Sequence, residues 1–152
     1  MLTDDLAVVV NGDPPLVLPG YPRIRLWPWT VEGLLGDEDA LPRICADWEK
    51  RKADIDDFDL TPRPLAAVIV LGGFGDSIEI ERVSPARAVV EMMENASLSC
   101  LIDPDTRRAD FEFFGDLVAS VPVFQLRRPR DLGATDKSAL AVVDMLRSGE
   151  AA

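Results

Sequence analysis

The chain has 152 residues, of which 47% are hydrophobic, and its formal net charge is −11. This length suits a core of ordinary size, so residues 1–152 are predicted to form a single domain. The negative charge argues against nucleic acid and anionic membranes as partners, because both would repel the protein. The absence of histidine excludes a Ser-His-Asp or Cys-His nucleophile and a zinc site with histidine ligands.

No segment has the sequence of a membrane span or of a signal peptide. The longest apolar runs, such as residues 65–71, reach only strand length, and the start of the chain lacks a basic stretch followed by an apolar one. Cys45 and Cys100 lack the CxxC spacing of redox and metal sites and are predicted to be reduced, partly buried thiols. These features predict a soluble, cytoplasmic protein.

The first third of the chain predicts short strands and a helix. Apolar β-branched runs at residues 6–10 and 16–18 flank a turn signal and predict a hairpin. Charged and apolar residues alternate over residues 23–27, as in a half-buried strand. Thr30 is a suitable N-cap for a short helix that Gly36 would end. In the acidic segment that follows, we expect a short helix at residues 37–41 and an extended segment at residues 49–55.

The second part predicts further strands and three helices. Residues 65–71 and 77–83 are strand-like runs on either side of a glycine-rich segment, and they predict a second hairpin. Ser84 and Asp103 each precede a proline, which is the sequence expected at the start of a helix.

Apolar stripes at helical spacing predict which faces of the last two helices are buried. They consist of Phe111, Phe114 and Val118 in one helix and of Leu140, Val143 and Leu146 in the helix that begins at Thr135. A strand at residues 121–127 separates these helices. The order predicts an α+β (mixed α/β) fold, with a hairpin-rich sheet followed by helices.

Asp4 and Asp5 stand beside the first apolar strand and form the most suggestive motif. Two adjacent carboxylates suit a magnesium site next to a phosphate: one holds the cation, and the other orients or deprotonates an attacking hydroxyl. The alternative is an acidic pair that is simply exposed to solvent. Without histidine, acid–base chemistry has to come from Asp, Glu, Lys or Tyr21.

Two other segments raise the question of phosphate binding. Residues 72–77 are glycine-rich, but they lack the Gly-Lys-Ser or Gly-Lys-Thr ending of a phosphate-binding loop, and they are interpreted as a hairpin turn. Glu49-Lys50-Arg51-Lys52 places three cations in an acidic region, where they could clamp phosphate oxygens. The alternative for this second segment is a surface charge cluster.

Six segments taken together resemble the HPr kinase/phosphorylase-related proteins. These are bacterial kinases with a phosphate-binding loop and a core like that of phosphoenolpyruvate carboxykinase. The segments are residues 2–9, 18–28, 49–51, 64–71, 84–88 and 121–132, and their most distinctive parts read PGYPRIRLWP and RRPRDL. The resemblance therefore extends over nearly the whole chain.

The resemblance implies ATP-dependent phosphorylation of a serine in a protein substrate, with Mg²⁺ and ATP as cofactors. It implies that Asp4 is associated with the metal and that Asp5 acts on the hydroxyl or phosphate being transferred. It also implies that Lys50 and Arg51 line the phosphate or substrate side.

One part of the family's pattern is missing. Its members carry a glycine-rich loop, ending in Gly-Lys-Ser or Gly-Lys-Thr, upstream of the acidic pair, and this sequence contains none. That loop supplies much of the ATP affinity. We therefore expect this chain to be the C-terminal half of such a kinase and to be inactive alone. We also expect a partner chain to complete its sheet, or the chain to form a homo-oligomer. The alternative is a non-catalytic interaction or regulatory module that binds a partner chain. Arg23 and Arg25 lie in a matching segment but receive no role.

Overall fold

A computed structural model describes residues 1–96 and 103–149. The chain divides into two compact units, Met1–Pro64 and Leu65–Ala152. Within the described residues the fold is α+β, with several small sheets and four α-helices. This confirms the predicted fold class.

The first unit is built from short antiparallel strands and one helix. These elements are β1 (Val8–Val10), β2 (Leu16–Leu18), β3 (Arg23–Leu26), α1 (Pro28–Leu35), β4 (Arg51–Asp54) and β5 (Arg63–Pro64). Strand β2 pairs with β1 on one side and with β5 on the other, whereas β3 and β4 form a separate two-stranded ribbon. The first predicted hairpin, the strand at residues 23–27 and the extended segment at residues 49–55 are thus confirmed.

Helix α1 begins three residues earlier than predicted, because its N-cap is Trp27 and not Thr30. Pro28 occupies the first helical position after Trp27, where a missing amide hydrogen costs nothing, so Thr30 lies inside the first turn and is not the N-cap. The end is confirmed: Gly36 has a φ of 79°, and its amide donates to the Glu32 carbonyl oxygen at 2.8 Å. The predicted helix at residues 37–41 is wrong, because that segment forms turns.

The second unit contains a three-stranded sheet and three α-helices in its described part, residues 65–96 and 103–149. Its elements are β6 (Val68–Phe74), β7 (Glu79–Arg82), α2 (Pro85–Asn95), α3 (Pro104–Ser120), β8 (Val123–Arg128), a 3-10 turn (Leu132–Ala134) and α4 (Thr135–Arg147). The strand order is β6-β8-β7, with β8 parallel to β6 and antiparallel to β7. Val83, Ala88 and Val123 form the centre of its core.

The second predicted hairpin is wrong, because β8 lies between the two strands that were expected to pair. Strand β8 carries the buried side chains of Val123, Phe124 and Leu126, and both of its edges are paired, one with β6 and the other with β7. Gly72 continues β6 instead of turning: a Cβ there would lie 3.0 Å from the Gln125 side chain. The glycine therefore accommodates a neighbouring side chain on β8.

Helices α2, α3 and α4 begin where the sequence predicts, but two apolar stripes are partly wrong. Phe111 is 58% exposed and Leu140 is 61% exposed. In α4 the buried residues are Ser138 and Met145. The Ser138 hydroxyl donates to the Ala134 carbonyl oxygen at 2.8 Å, so this small polar residue is satisfied within its own helix and can face the core.

Other predictions concern thiols and membranes. Cys45 is a free thiol and is exposed rather than partly buried, and Cys100 lies outside the described residues. In the two described ranges of the chain, no helix has the length and apolar character needed to cross a membrane.

Candidate functional site

The segment that precedes β1 is fixed against the rest of the first unit. The Gly20 amide donates to the Leu2 carbonyl oxygen at 2.8 Å, and the Asp59 amide donates to the Met1 carbonyl oxygen at 2.9 Å. A Cβ at Gly20 would come 2.5 Å from the hydroxyl oxygen of Thr3, so glycine permits this close approach. These contacts determine where the acidic pair lies.

Asp4 and Asp5 are directed toward β3. The Asp4 carboxylate accepts a hydrogen bond from the Arg25 amide at 2.8 Å. Asp5 has a φ of 36°, a conformation that aspartate adopts more readily than most residues, and the Leu6 amide donates to the Asp4 carbonyl oxygen across this turn. The turn brings the Asp5 carboxylate to 3.4 Å from the Arg25 guanidinium.

Cross-strand pairing places four charged residues of β3 and β4 on one face of the ribbon. Arg23 lies opposite Asp54, and the two form a 2.7 Å ion pair. Arg25 lies opposite Lys52. Because side chains alternate between faces along a strand, these residues share a face, which we call the charged face of the ribbon.

Lys50 extends this charged face by one position. The last pair of the ribbon joins Leu26 to Arg51, so Lys50 comes next to Trp27. Its ammonium nitrogen lies 5.1 Å from the centroid of the Trp27 ring and 3.9 Å from the Asp5 carboxylate. A lysine held over an aromatic face in this way stays directed toward the acidic pair.

Arg51 lies on the opposite face of β4 and is 2% exposed. Its guanidinium donates to the backbone carbonyl oxygens of Glu38 at 3.0 Å and Glu49 at 2.7 Å, and to the Asp39 carboxylate at 2.6 Å. These three contacts tie together the loop between α1 and β4. The structure therefore brings Asp4, Asp5 and Lys50 together and leaves Arg51 outside that group.

The charged face of the ribbon has an excess of positive charge beside the acidic pair. Arg25 and Lys52 are like charges placed directly opposite each other, an arrangement that is unfavourable by itself. In the first unit, all of which the structure describes, no carboxylate forms an ion pair with Lys52. Arg25 and Lys50 approach Asp5 at the longer distances given above. An incoming anion would find three cations within reach of one face.

Two carboxylates are too few to enclose a metal ion, but they fit one way of binding magnesium. The described residues contain no group of three or more His, Cys, Asp or Glu side chains that could hold a metal. Mg²⁺ usually keeps several waters and binds through one or two carboxylates plus substrate phosphates. In this way of binding, Asp4 and Asp5 would supply the hard oxygen donors, and the neighbouring cations would contact the phosphates.

Comparisons with known proteins do not identify the chain: no family model, no curated protein and no solved structure matches it.

Two residues that lie beside Asp5 and Lys50 are not identified from the sequence. Arg25 receives no role there and Trp27 is treated as part of a strand, whereas Lys52 is among the cations expected to clamp phosphate oxygens. The alternation of Arg23 and Arg25 with apolar residues shows that they share a face. The pairing with β4 could not be obtained from that pattern.

Proposed function

We propose that this chain is part of a phosphotransferase of the HPr-kinase-like type, and that Asp4, Asp5 and Lys50 belong to its Mg²⁺-nucleotide site. The observation that supports the proposal most directly is the position of Asp5, whose carboxylate has Arg25 at 3.4 Å and Lys50 at 3.9 Å. The sequence resemblance implies functional roles for Asp4, Asp5 and Lys50, and these residues lie together around Asp5.

The electrostatics of the site suit a magnesium-bound triphosphate. Arg25, Lys50 and Lys52 would contact phosphate oxygens, and the transfer of Arg25 and Lys50 from Asp5 to the phosphates would release that carboxylate for chemistry. Asp4 is the metal ligand in this proposal, with Asp5 close enough to share the role. Bound there, Mg²⁺ would neutralise charge on the β- and γ-phosphates.

The proposed reaction is in-line transfer of the γ-phosphoryl group to a hydroxyl. The hydroxyl oxygen forms a bond to the γ-phosphorus, the bond from that phosphorus to the β,γ-bridging oxygen breaks, and ADP leaves. Asp5 accepts the hydroxyl proton. The acceptor is a serine of a protein substrate, as the resemblance implies, and the use of ATP places the activity in the cytoplasm.

The proposal requires a phosphate-binding loop from outside the sequence described above. A glycine-rich loop with its lysine provides much of the affinity for the β- and γ-phosphates in such kinases. The chain alone is therefore expected to bind Mg-ATP weakly and to transfer no phosphoryl group. A partner chain would supply the loop and complete the domain.

Calorimetric titration of the purified chain with Mg-ATP tests the nucleotide site. We expect saturable binding in the micromolar to millimolar range that the Asp4→Asn, Asp5→Asn double variant loses. Asp56→Asn, Asp57→Asn is the matched control, because it changes the same charge at an exposed acidic pair of the same unit. Equal weakening in both double variants, or no binding by the wild-type chain at millimolar ATP, would contradict the proposal.

A second candidate is a non-catalytic module that binds a partner chain. The first unit exposes more than half of several large apolar side chains, namely Tyr21, Trp29, Leu34, Leu35, Trp48 and Leu60. Where such side chains form a contiguous patch, that patch is typically an interaction site. The same titration separates the candidates, since an interaction module without nucleotide chemistry has no reason to bind Mg-ATP through Asp4 and Asp5.

A further inference from the structure

The second unit contains a pair of arginines next to an exposed aromatic ring. The guanidinium carbon of Arg128 lies 5.7 Å from the centroid of the Phe74 ring, and that of Arg130 lies 5.5 Å from it. Both distances are within the range of cation–π contacts. The Phe74 ring is 55% exposed, so this cluster is open to solvent.

Strand pairing fixes this arrangement. Phe74 is the last residue of β6 and lies opposite Arg128, the last residue of β8, and the Gly75 amide donates to the Arg128 carbonyl oxygen at 3.1 Å. The two strands are parallel, so the cluster lies at their carboxyl ends. In open α/β sheets this is the end at which ligands usually bind.

The two arginines form no ion pair within the described ranges of the chain. The carboxylate next to them in sequence is occupied elsewhere: Asp131 accepts a hydrogen bond from the Gly133 amide at 3.0 Å. In a protein of net charge −11, two adjacent arginines without a carboxylate partner are unexpected. Their charge is available to an external anion.

We propose that Arg128 and Arg130 bind the phosphate group of a small phosphorylated ligand, with Phe74 holding the two guanidinium groups in position. A guanidinium presents its N–H donors in its own plane, so contact with a ring face leaves those donors free for a doubly hydrogen-bonded oxyanion. Two such groups match the charge and the several oxygens of a phosphate dianion better than those of a single carboxylate. This site lies in the second unit and does not depend on the phosphotransferase proposal.

Arg127 provides a matched control. It is adjacent in sequence and carries the same charge, but a Cβ placed on Gly72 would lie 3.2 Å from its Cγ atom, so its side chain covers Gly72. Successive residues of a strand point to opposite faces. Arg127 is therefore directed away from Arg128, and Arg127→Gln changes the net charge by the same amount as each single substitution in the site.

The test is an NMR titration of the ¹⁵N-labelled full chain with inorganic phosphate at constant ionic strength, following the arginine Nε–H signals and the Gly75 amide. We expect saturable shifts in the wild-type chain and in Arg127→Gln. In the Arg128→Gln, Arg130→Gln double variant, loss of two charge-assisted contacts should weaken binding by about tenfold or more. The amide spectrum of each variant shows whether it is folded.

Parallel titrations with phenyl phosphate and acetate identify the source of the anion. Tighter binding of phenyl phosphate than of inorganic phosphate would indicate an organic monoester that also contacts Phe74, and equal binding would indicate free phosphate. Either result supports the site if acetate binds more weakly. The proposal is overturned if the shifts do not saturate, if acetate competes equally, or if Arg127→Gln weakens binding as much as the double variant.

Discussion

Replacing Arg51 by methionine should destabilise the first unit, because this side chain links three parts of one loop. Its ion pair with Asp39 involves a carboxylate that is 71% exposed, so loss of that pair contributes less than about 1 kcal/mol. The carbonyl oxygens of Glu38 and Glu49 each lose a hydrogen bond from a charged donor, which costs at least about 1.5 kcal/mol apiece. The expected total for Arg51→Met is therefore at least about 3 kcal/mol.

Urea denaturation followed by tryptophan fluorescence measures this loss directly, since all three tryptophans lie in the first unit. The midpoint should fall while the slope of free energy against urea stays unchanged. Arg51→Lys should recover less than half of the loss, because one ammonium group cannot reproduce three nitrogens that face three acceptors. Lys52→Met, the neighbouring cation on the charged face, should stay within about 0.5 kcal/mol of wild type.

One result would refute the structural role of Arg51. If Arg51→Met left the free energy of unfolding within about 0.5 kcal/mol of wild type and yet abolished Mg-ATP binding, Arg51 would contact the nucleotide, as the sequence resemblance implies. The observed burial of its guanidinium leads us to expect the reverse: a large effect on stability, and an effect on nucleotide binding only through unfolding.

Three further predictions concern the helices. Gly36→Ala should cost about 1 kcal/mol in urea denaturation, because the left-handed conformation at the end of α1 is unfavourable for a side chain. Met145→Ala should cost about 2–4 kcal/mol, whereas Leu140→Ala should stay within about 0.5 kcal/mol, because only the former is buried in α4; equal losses would contradict the packing of that helix. The Thr106 amide lowers the pKa of Asp103 below its usual value of 3.8. The Asp103 carboxylate thus stabilises α3 fully above pH 3.8, and this contribution is lost as the pH falls through the folded-state pKa. Asp103→Asn should therefore lose less stability than wild type on acidification, and an identical pH dependence in the two proteins would contradict this.

Local signals in the sequence were sufficient for elements whose ends are set by their own residues. Gly36 ends α1, and Asp103 with the proline after it begins α3. Each of these residues acts through the backbone of its own helix. Their effects do not depend on distant parts of the chain, so the positions could be obtained from a single sequence.

Strand pairing could not be obtained in the same way. The runs at residues 65–71 and 77–83 are adjacent in sequence and separated by glycines, which is also the pattern of a hairpin. The strand that separates them, β8, lies beyond two helices. Whether β8 takes the central position depends on how all three strands pack together, which is a property of the whole sheet. Periodicity identifies a strand and its faces but does not identify its partner.

The same limit explains why Lys50 and Arg51 have different environments. Both lie in one basic run, and the sequence resemblance gave them one role. Register decides between them: Arg51 pairs with Leu26 on the inner face, and Lys50 comes beside Trp27 on the charged face. Successive residues of an extended segment point in opposite directions, so adjacent cations cannot both face Asp5.

The charged face of the ribbon contains two cross-strand pairs of different kinds. Arg23 has Asp54 opposite it and forms an ion pair, whereas Arg25 has Lys52 opposite it. An aspartate in place of Lys52 would form a second ion pair of the Arg23–Asp54 kind and improve the cross-strand pair by about 0.5 kcal/mol. In the proposed site, Arg25 and Lys52 of this like-charged pair would both contact the anion. Lys52→Asp should stabilise the ligand-free chain and remove Mg-ATP binding, and a variant that is more stable but binds as well as wild type would show that the pair has no such role.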